Sequence, residues 1–319
     1  MATANQLKML VKSHFEENNE KFNTIALQIA AHEARLGHTN LANDIRKIIE
    51  SSKNNKPRLK NIDSNLQGLF LEIYPQERLS DLVVSPQIKE RIERIIHEFI
   101  YKDKLFKHNL ENRRKILFSG NPGTGKTMTA SIIANELRLP IYVVLMDKIV
   151  TKYMGETSAK LRQIFDFIKD VPAVYLFDEF DAIGGQRGKD NEVGEMRRVL
   201  NSFLQFLERD HSDSLIIAAT NNLELLDQAL FRRFDDVIRY QLPTDNEKLQ
   251  LLKNRLNGNL SNKEIKDLLP ELTSLSHAEI NQACLDVIKT SVIYDLPIKF
   301  DLIVKTIRER KSAYNLSAE

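Results

Sequence analysis

Cysteine is almost missing from this chain: Cys284 is the only one among 319 residues, so an intrachain disulfide is impossible. There is no apolar run long enough to span a membrane, and residues 1–12 contain no apolar segment typical of a secretion signal. An excess of one charge is also missing, because 46 basic residues face 44 acidic ones. These absences predict a cytoplasmic protein in a reducing compartment, and they argue against membrane insertion and against nucleic acid as a partner.

The pattern of apolar residues changes along the chain and predicts an α/β core between helical segments. Four segments are predicted: a helical N-terminal domain over 1–52, a polar linker over 53–78, an α/β core over 79–242 and a helical domain over 243–319. Short β-type runs in the core alternate with helical patterns, which predicts a parallel sheet with helices on both faces. The predicted strands are 115–119, 141–145, 173–177, 215–219 and 237–240.

A glycine-rich loop over residues 120–127 follows the first of these strands and precedes a helical pattern. It matches the P-loop pattern at every fixed position, which favours phosphate binding over a chance glycine-rich turn. Backbone N–H groups and the helix N-terminus would bind the phosphates, Lys126 would reach the β- and γ-phosphates, and the Thr127 hydroxyl would bind Mg²⁺. The predicted ATP contacts are Gly120, Asn121, Pro122, Gly123, Thr124, Gly125, Lys126 and Thr127.

Polar residues also follow two other predicted strands, 173–177 and 215–219. Since carboxyl ends of parallel strands meet beside the phosphate loop, Asp178 is predicted to hold Mg²⁺, partly through water. Glu179 is predicted to be the base that orients and polarises the attacking water. Asn221 is predicted to hydrogen-bond the γ-phosphate or the lytic water. Each of these residues alone would be an ordinary solvated strand end or turn residue.

Two adjacent arginines, Arg232 and Arg233, follow the strand that leads to Asn221. One of them is predicted to act as an arginine finger, which stabilises the transition-state charge in a neighbouring subunit. The alternative is a pair of surface arginines.

Taken together, residues from about 79 to 312 resemble an AAA-type ATPase of the AAA+ superfamily. The resemblance rests on four motifs, at 120–127, 177–181, 218–221 and 232–235. It implies a five-stranded parallel core followed by an α-helical lid, usually in a hexameric homo-oligomer with ATP sites between subunits. The chain is similar to stand-alone bacterial members that carry a small helical N-terminal piece.

Some departures from the family pattern affect individual residues. Residues 276–280 resemble the lid segment near the adenine, so His277 and Ala278 are expected to contact the nucleotide. His277 stands where glycine is common, and its role is left open. The family usually separates the two arginines by a short insert, so which of Arg232 and Arg233 is the finger also stays open.

The resemblance further implies a central-pore loop at Tyr153, Met154 and Gly155, where an aromatic would grip an extended polypeptide. A buried tyrosine in a helix connection is the alternative. The basic loop 184–189 resembles a second pore loop and fits a solvated loop equally well.

The resulting hypothesis is a ring-shaped ATPase that remodels, unfolds or threads a protein substrate, with a separately encoded protease as one conceivable partner. A nucleotide-gated binding switch that holds a partner without threading it is the alternative. A loader of nucleic-acid machinery is a third hypothesis, which the lack of a basic excess disfavours. Tyr153 discriminates the first two, because a switch does not need a pore aromatic.

Overall fold

A computed structural model describes residues 8–10, 12–13, 19–35, 38, 41–45, 47, 66, 68–149, 154–184, 190–222, 228–256 and 260–315. The chain divides into two compact units, Met1–Asn61 and Ile62–Glu319. In the first unit, helix α1 spans Asn19–Arg35 and buries apolar side chains of one face, including Ile25 and Ala30. Within the described part of the chain, no helix is long and apolar enough to cross a bilayer. The four-segment division predicted from the sequence stays a prediction.

The second unit is built on a six-stranded sheet in the order β1-β3-β4-β5-β2-β6. The strands are β1 Phe70–Ile73, β2 Lys115–Gly120, β3 Ile141–Val144, β4 Val174–Phe177, β5 Leu215–Thr220 and β6 Asp236–Tyr240. The five strands predicted from the sequence pair in parallel, with Leu117 of β2 opposite Ala218 and Val237. The predicted α/β fold class is therefore confirmed.

The sixth strand, β1, was missed because it lies in the segment predicted to be a linker. It pairs antiparallel with β3 at the sheet edge. Of its four residues only Phe70 is buried, and Leu71 is exposed, so the strand lacks the apolar run that identifies buried parallel strands.

Helices cover both faces of the sheet and form the lid. They are α2 Pro86–Ile100, α3 Lys102–Phe106, α4 Lys126–Leu137, α5 Met146–Ile149, α6 Met154–Asp170, α7 Asp181–Gly184, α8 Asp190–Arg209, α9 Gln228–Phe231, α10 Asp245–Leu256, α11 Asn262–Asp267, α12 His277–Tyr294 and α13 Phe300–Asn315. The last four, with a short 3₁₀ turn at Leu269–Leu272, make up the predicted helical lid.

The core lies in layers that follow from the alternation of side chains along β2. Ile116 and Phe118 point to the face covered by α2 and α4, whereas Leu117 points to the face covered by α6 and α8. The lid has its own apolar cluster, which also includes Val83 from the segment before α2. Because β2, β4 and β5 are parallel, the residues after Gly120, Phe177 and Thr220 meet at one edge of the sheet.

Candidate nucleotide-binding and hydrolysis site

The glycine-rich loop needs glycine because its backbone enters the left-handed region. The φ angles are +146° at Gly120, +73° at Gly123 and +100° at Gly125. A Cβ atom at Gly120 would lie 2.3 Å from the carbonyl oxygen of Tyr240, so β6 approaches the loop too closely for any side chain. Helix α4 begins directly after the loop, at Lys126. The sequence therefore places a loop of positive-φ glycines directly before a helix N-terminus, an arrangement that suits phosphate binding.

Lys126 reaches back over this loop. Its side chain is 6% exposed, and Nζ donates to the carbonyl oxygens of Gly120 at 2.7 Å and Asn121 at 3.0 Å, and to Asn221 Oδ1 at 2.8 Å. Burial lowers the pKa of Lys126, while the carboxylates of Asp178 and Asp181 act in the opposite direction. The ammonium group thus lies against the phosphate loop, and it contacts Asn221, the residue predicted to bind the γ-phosphate or the lytic water.

The predicted magnesium residues also meet. Thr127 Oγ1 donates to Asp178 Oδ2 at 2.7 Å, and Asp178 Oδ1 accepts from the backbone N–H of Glu179 at 2.9 Å. A hydroxyl and a carboxylate side by side suit Mg²⁺, which prefers oxygen ligands and completes its shell with water and substrate phosphates. Among the residues whose placement is described, no cluster of three or more His, Cys, Asp or Glu could hold a metal without such added ligands.

Glu179 is exposed at the cavity and has a left-handed backbone, with φ of +52°. This conformation is uncommon outside glycine and recurs at functional sites. The turn after β4 is joined to β5 by a hydrogen bond in which Phe180 N–H donates to the Ala219 carbonyl at 2.8 Å. Asp181 Oδ1 accepts from Thr220 Oγ1 at 3.2 Å, which gives this carboxylate a structural task in joining the ends of β4 and β5.

The lid closes the other side of the site. A cavity of about 1010 Å³ lies between the phosphate loop and the lid, and Asp178, Glu179 and Asn221 all line it. The N–H of Ala278 donates to the Gly123 carbonyl at 2.9 Å, and a Cβ atom at Gly123 would lie 2.6 Å from Ser276 Oγ. The start of α12 therefore rests directly on the phosphate loop, and His277 and Ala278 line the cavity as predicted residues of the nucleotide site.

The apolar wall of this cavity was not predicted from the sequence. Leu82 and Val83 from the segment before α2 face the cavity together with Leu251 of α10. Leu82 packs into the sheet core and Val83 into the lid cluster, so this dipeptide spans the junction between core and lid. No local pattern marks such residues, because their role arises only when the lid folds back onto the core.

Neither Arg232 nor Arg233 belongs to the described lining of the cavity, and the two side chains differ in their ion pairing. Arg233 forms an ion pair with Glu208 of α8 on the same chain. Arg232 is exposed, and no ion pair of its guanidinium is present in the described part of the chain.

The predicted pore residues are only partly placed. Tyr153 lies outside the described residues, as do residues 185–189 of the basic loop. Met154 and Gly155 are the first residues of α6, and Gly184 is the last residue of α7. Met154 and Gly155 therefore begin a helix, and the assignment of residues 153–155 to a pore loop stays a prediction.

Comparisons with known proteins agree with this geometry. Residues 116–242 match the model of the ATPase family associated with various cellular activities (AAA). The chain is 33% identical over 303 residues to the uncharacterized AAA family ATPase y4kL of Sinorhizobium fredii, which covers 92% of this chain and 90% of that protein.

The chain is also similar to a proteasome-activating nucleotidase and to a protein domain of known crystal structure. A proteasome-activating nucleotidase of Methanoregula boonei is 31% identical over 237 residues, which span 70% of this chain and 54% of that protein. The crystal structure of the FIGL-1 AAA domain has a TM-score of 0.62 at 21% identity, covering 79% of this chain and 91% of that one. At this identity the structural similarity concerns the fold alone.

Proposed function

The chain belongs to the AAA family of ATPases, and from that premise we propose that it works as a ring-shaped oligomer, hexameric by analogy, that couples ATP hydrolysis to remodelling of a protein substrate. The observation that supports this proposal most is the set of cations at the site. Lys126 is the one cation that the core contributes to the described cavity lining, Lys253 and Arg255 come from α10 of the lid, and Arg232 is exposed on the same chain. A neighbouring subunit that supplies an arginine would complete the charge stabilisation that phosphoryl transfer needs.

Within one subunit, the described residues divide the chemistry between them. Lys126 and the backbone of the phosphate loop would hold the β- and γ-phosphates, and Asn221 would share Lys126 with the terminal phosphate. Thr127 and Asp178 would hold Mg²⁺, which supplies charge neutralisation at the phosphates when bound. Glu179, exposed at the cavity, would orient the attacking water and accept its proton.

The arginine that acts in the neighbouring site is proposed to be Arg232. Arg233 is already paired with Glu208 of its own chain, and leaving that pair would carry a cost that Arg232 does not have. Since the pair is about half exposed, this cost is small, on the order of 1 kcal/mol or less. Arg232 is therefore the proposed arginine finger, and Arg233 is left with a supporting role at most.

Protein as the substrate class is supported by the names of several relatives and by one prediction from the sequence. Several relatives are named for proteasomes, including a proteasome-activating nucleotidase and a putative 26S proteasome regulatory subunit homolog of Methanothermobacter marburgensis. The predicted pore aromatic Tyr153 would grip a polypeptide with large contact area at low entropic cost. A cytoplasmic location and a separate protease partner belong to the same proposal.

A hydrolysis-deficient variant tests this function. Glu179→Gln keeps the shape of the side chain and leaves Thr127 and Asp178 in place, so it should bind ATP while turnover falls by at least about 10²-fold. Purified from its own cells with ATP and Mg²⁺, it should form rings by native mass spectrometry and retain protein substrate. Glu111→Gln, an exposed carboxylate away from the site, is the matched control. A monomer with ATP bound, or rings that retain no more protein with ATP than with ADP, would contradict the proposal.

A second variant separates the remodelling motor from a binding switch. Tyr153→Ala should keep ATP binding, assembly and basal hydrolysis but lose substrate unfolding, whereas Tyr153→Phe should keep all four. Full unfolding activity in Tyr153→Ala would favour the nucleotide-gated switch. A large fall in melting temperature would instead identify Tyr153 as a core residue, since truncating a buried aromatic costs about 3–5 kcal/mol.

A further inference from the structure

A second cavity lies beside the nucleotide cavity and is separated from it at His277. Its volume is about 400 Å³, and it lies between the start of α2, the end of β6 and the start of α10. Among the described lining residues of the two cavities, His277 is the one residue that belongs to both. The remaining lining of the second cavity includes Ser85, Gln87, Arg91, Leu242, Thr244 and Glu247.

His277 lies at the boundary between the nucleotide cavity and the second cavity. The phosphate end is fixed by Lys126 and Thr127, at the N-terminus of α4. Away from it, the apolar side chains of Leu82, Val83 and Leu251 offer the surface that a planar purine requires. With adenine on these side chains and the ribose leading back towards the phosphate loop, the edge of the base opposite the ribose would face outwards along the cavity. That edge carries the exocyclic N6 amino group.

His277 is held at this position by packing and by its backbone. Nδ1 and Nε2 are both buried, and neither has a hydrogen-bond partner among the described residues. Burial lowers the pKa of His277, and the carboxylate of Glu247 acts in the opposite direction. The hydrogen bond from Ala278 N–H to the Gly123 carbonyl fixes the adjacent backbone against the phosphate loop. Removing the ring would therefore break no side-chain hydrogen bond and would leave the segment anchored.

We propose that His277 is a specificity-determining residue whose ring closes the base end of the nucleotide cavity and excludes substituents on the N6 edge of adenine. Without the ring, the two cavities become continuous, and the space lined by Thr244 and Leu242 becomes available to an enlarged base. The inference rests on nucleotide binding alone and requires neither ring assembly nor substrate threading.

The test compares ATP with N6-benzyl-ATP on the full chain, with affinities measured by calorimetry. Wild type should bind ATP and reject the benzyl analogue. In His277→Gly and His277→Ala the ratio of the affinity for ATP to the affinity for the analogue should fall by at least about tenfold relative to wild type, the scale on which pocket size discriminates ligands. His277→Phe restores the volume without an imidazole and should reject the analogue as wild type does. Gln87→Ala, which enlarges only the second cavity, is the matched control and should behave like wild type.

Several outcomes would overturn the proposal. Tight binding of N6-benzyl-ATP to wild type would show that the ring of His277 does not exclude substituents on the N6 edge. ATP-competent His277→Gly and His277→Ala variants that still reject the analogue would show that the cavities are not joined by loss of the ring. Acceptance by His277→Phe would assign the exclusion to the imidazole instead of its bulk. Thermal melting of each variant establishes that it is folded, and His277→Ala carries the test if His277→Gly is not. Since only binding is measured, failure here is distinguishable from failure of the proposed remodelling function.

Discussion

The contact between Lys126 and Asn221 allows a sharp test of the nucleotide site. Asn221 Oδ1 lies 2.8 Å from Lys126 Nζ, at the end of β5. Asn221→Asp keeps the shape of the side chain and replaces a neutral acceptor with a negative charge. Asn221→Ala removes the hydrogen-bond acceptor without adding a charge. Comparing the two variants therefore isolates the electrostatic effect of a carboxylate beside the terminal phosphate.

The magnitude follows from distances at the lysine. If one ammonium group contacts both the carboxylate introduced by Asn221→Asp and a γ-phosphate oxygen, the two anionic oxygens lie about 5 Å apart, and at an effective dielectric constant of about 20 their repulsion is roughly 3 kcal/mol. We therefore expect Asn221→Asp to bind ATP on the order of 100-fold more weakly than Asn221→Ala. The penalty on ADP should be smaller, because the β-phosphate lies farther from β5.

The assay is calorimetric titration with ATP and with ADP in the presence of Mg²⁺, in a Glu179→Gln background so that ATP is not consumed. The expected signature is a loss that is larger for ATP than for ADP and present in Asn221→Asp only. Equal ATP affinities of Asn221→Asp and Asn221→Ala would refute the placement of the γ-phosphate beside Asn221. An equal loss for ADP would move the charge conflict to another phosphate.

Further predictions concern the lysine, the arginines and the buried histidine. Lys126→Ala should abolish tight ATP binding in calorimetry, because the core then contributes no cation to the described cavity lining. Arg232→Ala should lower turnover in a phosphate-release assay by about 10³-fold or more while each subunit still binds nucleotide. Arg233→Ala should lower turnover less. Equal losses in the two variants would contradict the assignment of Arg232 as the arginine finger. His277 should contribute to the pH dependence of stability. Its pKa is lowered by burial, so the unfolded chain takes up the proton first, and stability present above about pH 6.5 is lost on acidification. The melting temperature of His277→Phe should therefore fall less between about pH 7.5 and about pH 5.5 than that of wild type.

The predictability of the sheet depends on burial of each strand. Strands such as β4 and β5 are buried along their whole length, and the apolar run in their sequence is sufficient to identify them. The edge strand β1 has only Phe70 buried and is recognisable only from its pairing with β3. What escaped prediction is thus the element whose stability comes from a partner distant in sequence.

The same distinction holds within the site. The glycine conformations and the strand-end carboxylates are local consequences of the sequence, and the structure brings Thr127, Asp178 and Asn221 into one cavity. The ion pair between Arg233 and Glu208 joins two separate elements, so the sequence left both arginines equivalent. The catalytic roles of these residues remain predictions, and the AAA-type ATPase identity is confirmed by family membership.

The contact at Gly123 gives the lid a direct physical link to the phosphates. Gly123 belongs to the loop that would enclose the phosphates, and its carbonyl accepts from the Ala278 N–H at the start of α12. Ser276 Oγ lies only 2.6 Å from the position that a Cβ atom of residue 123 would take, so the loop and the lid meet without a side chain of residue 123 between them. A shift of the loop on phosphate binding or release must therefore either carry α12 with it or break this hydrogen bond. Because α12 packs against α10 and α13 through the apolar cluster of the lid, the lid would move as one body. In this arrangement any movement of the phosphate loop would reach the lid through the backbone contact between Gly123 and Ala278.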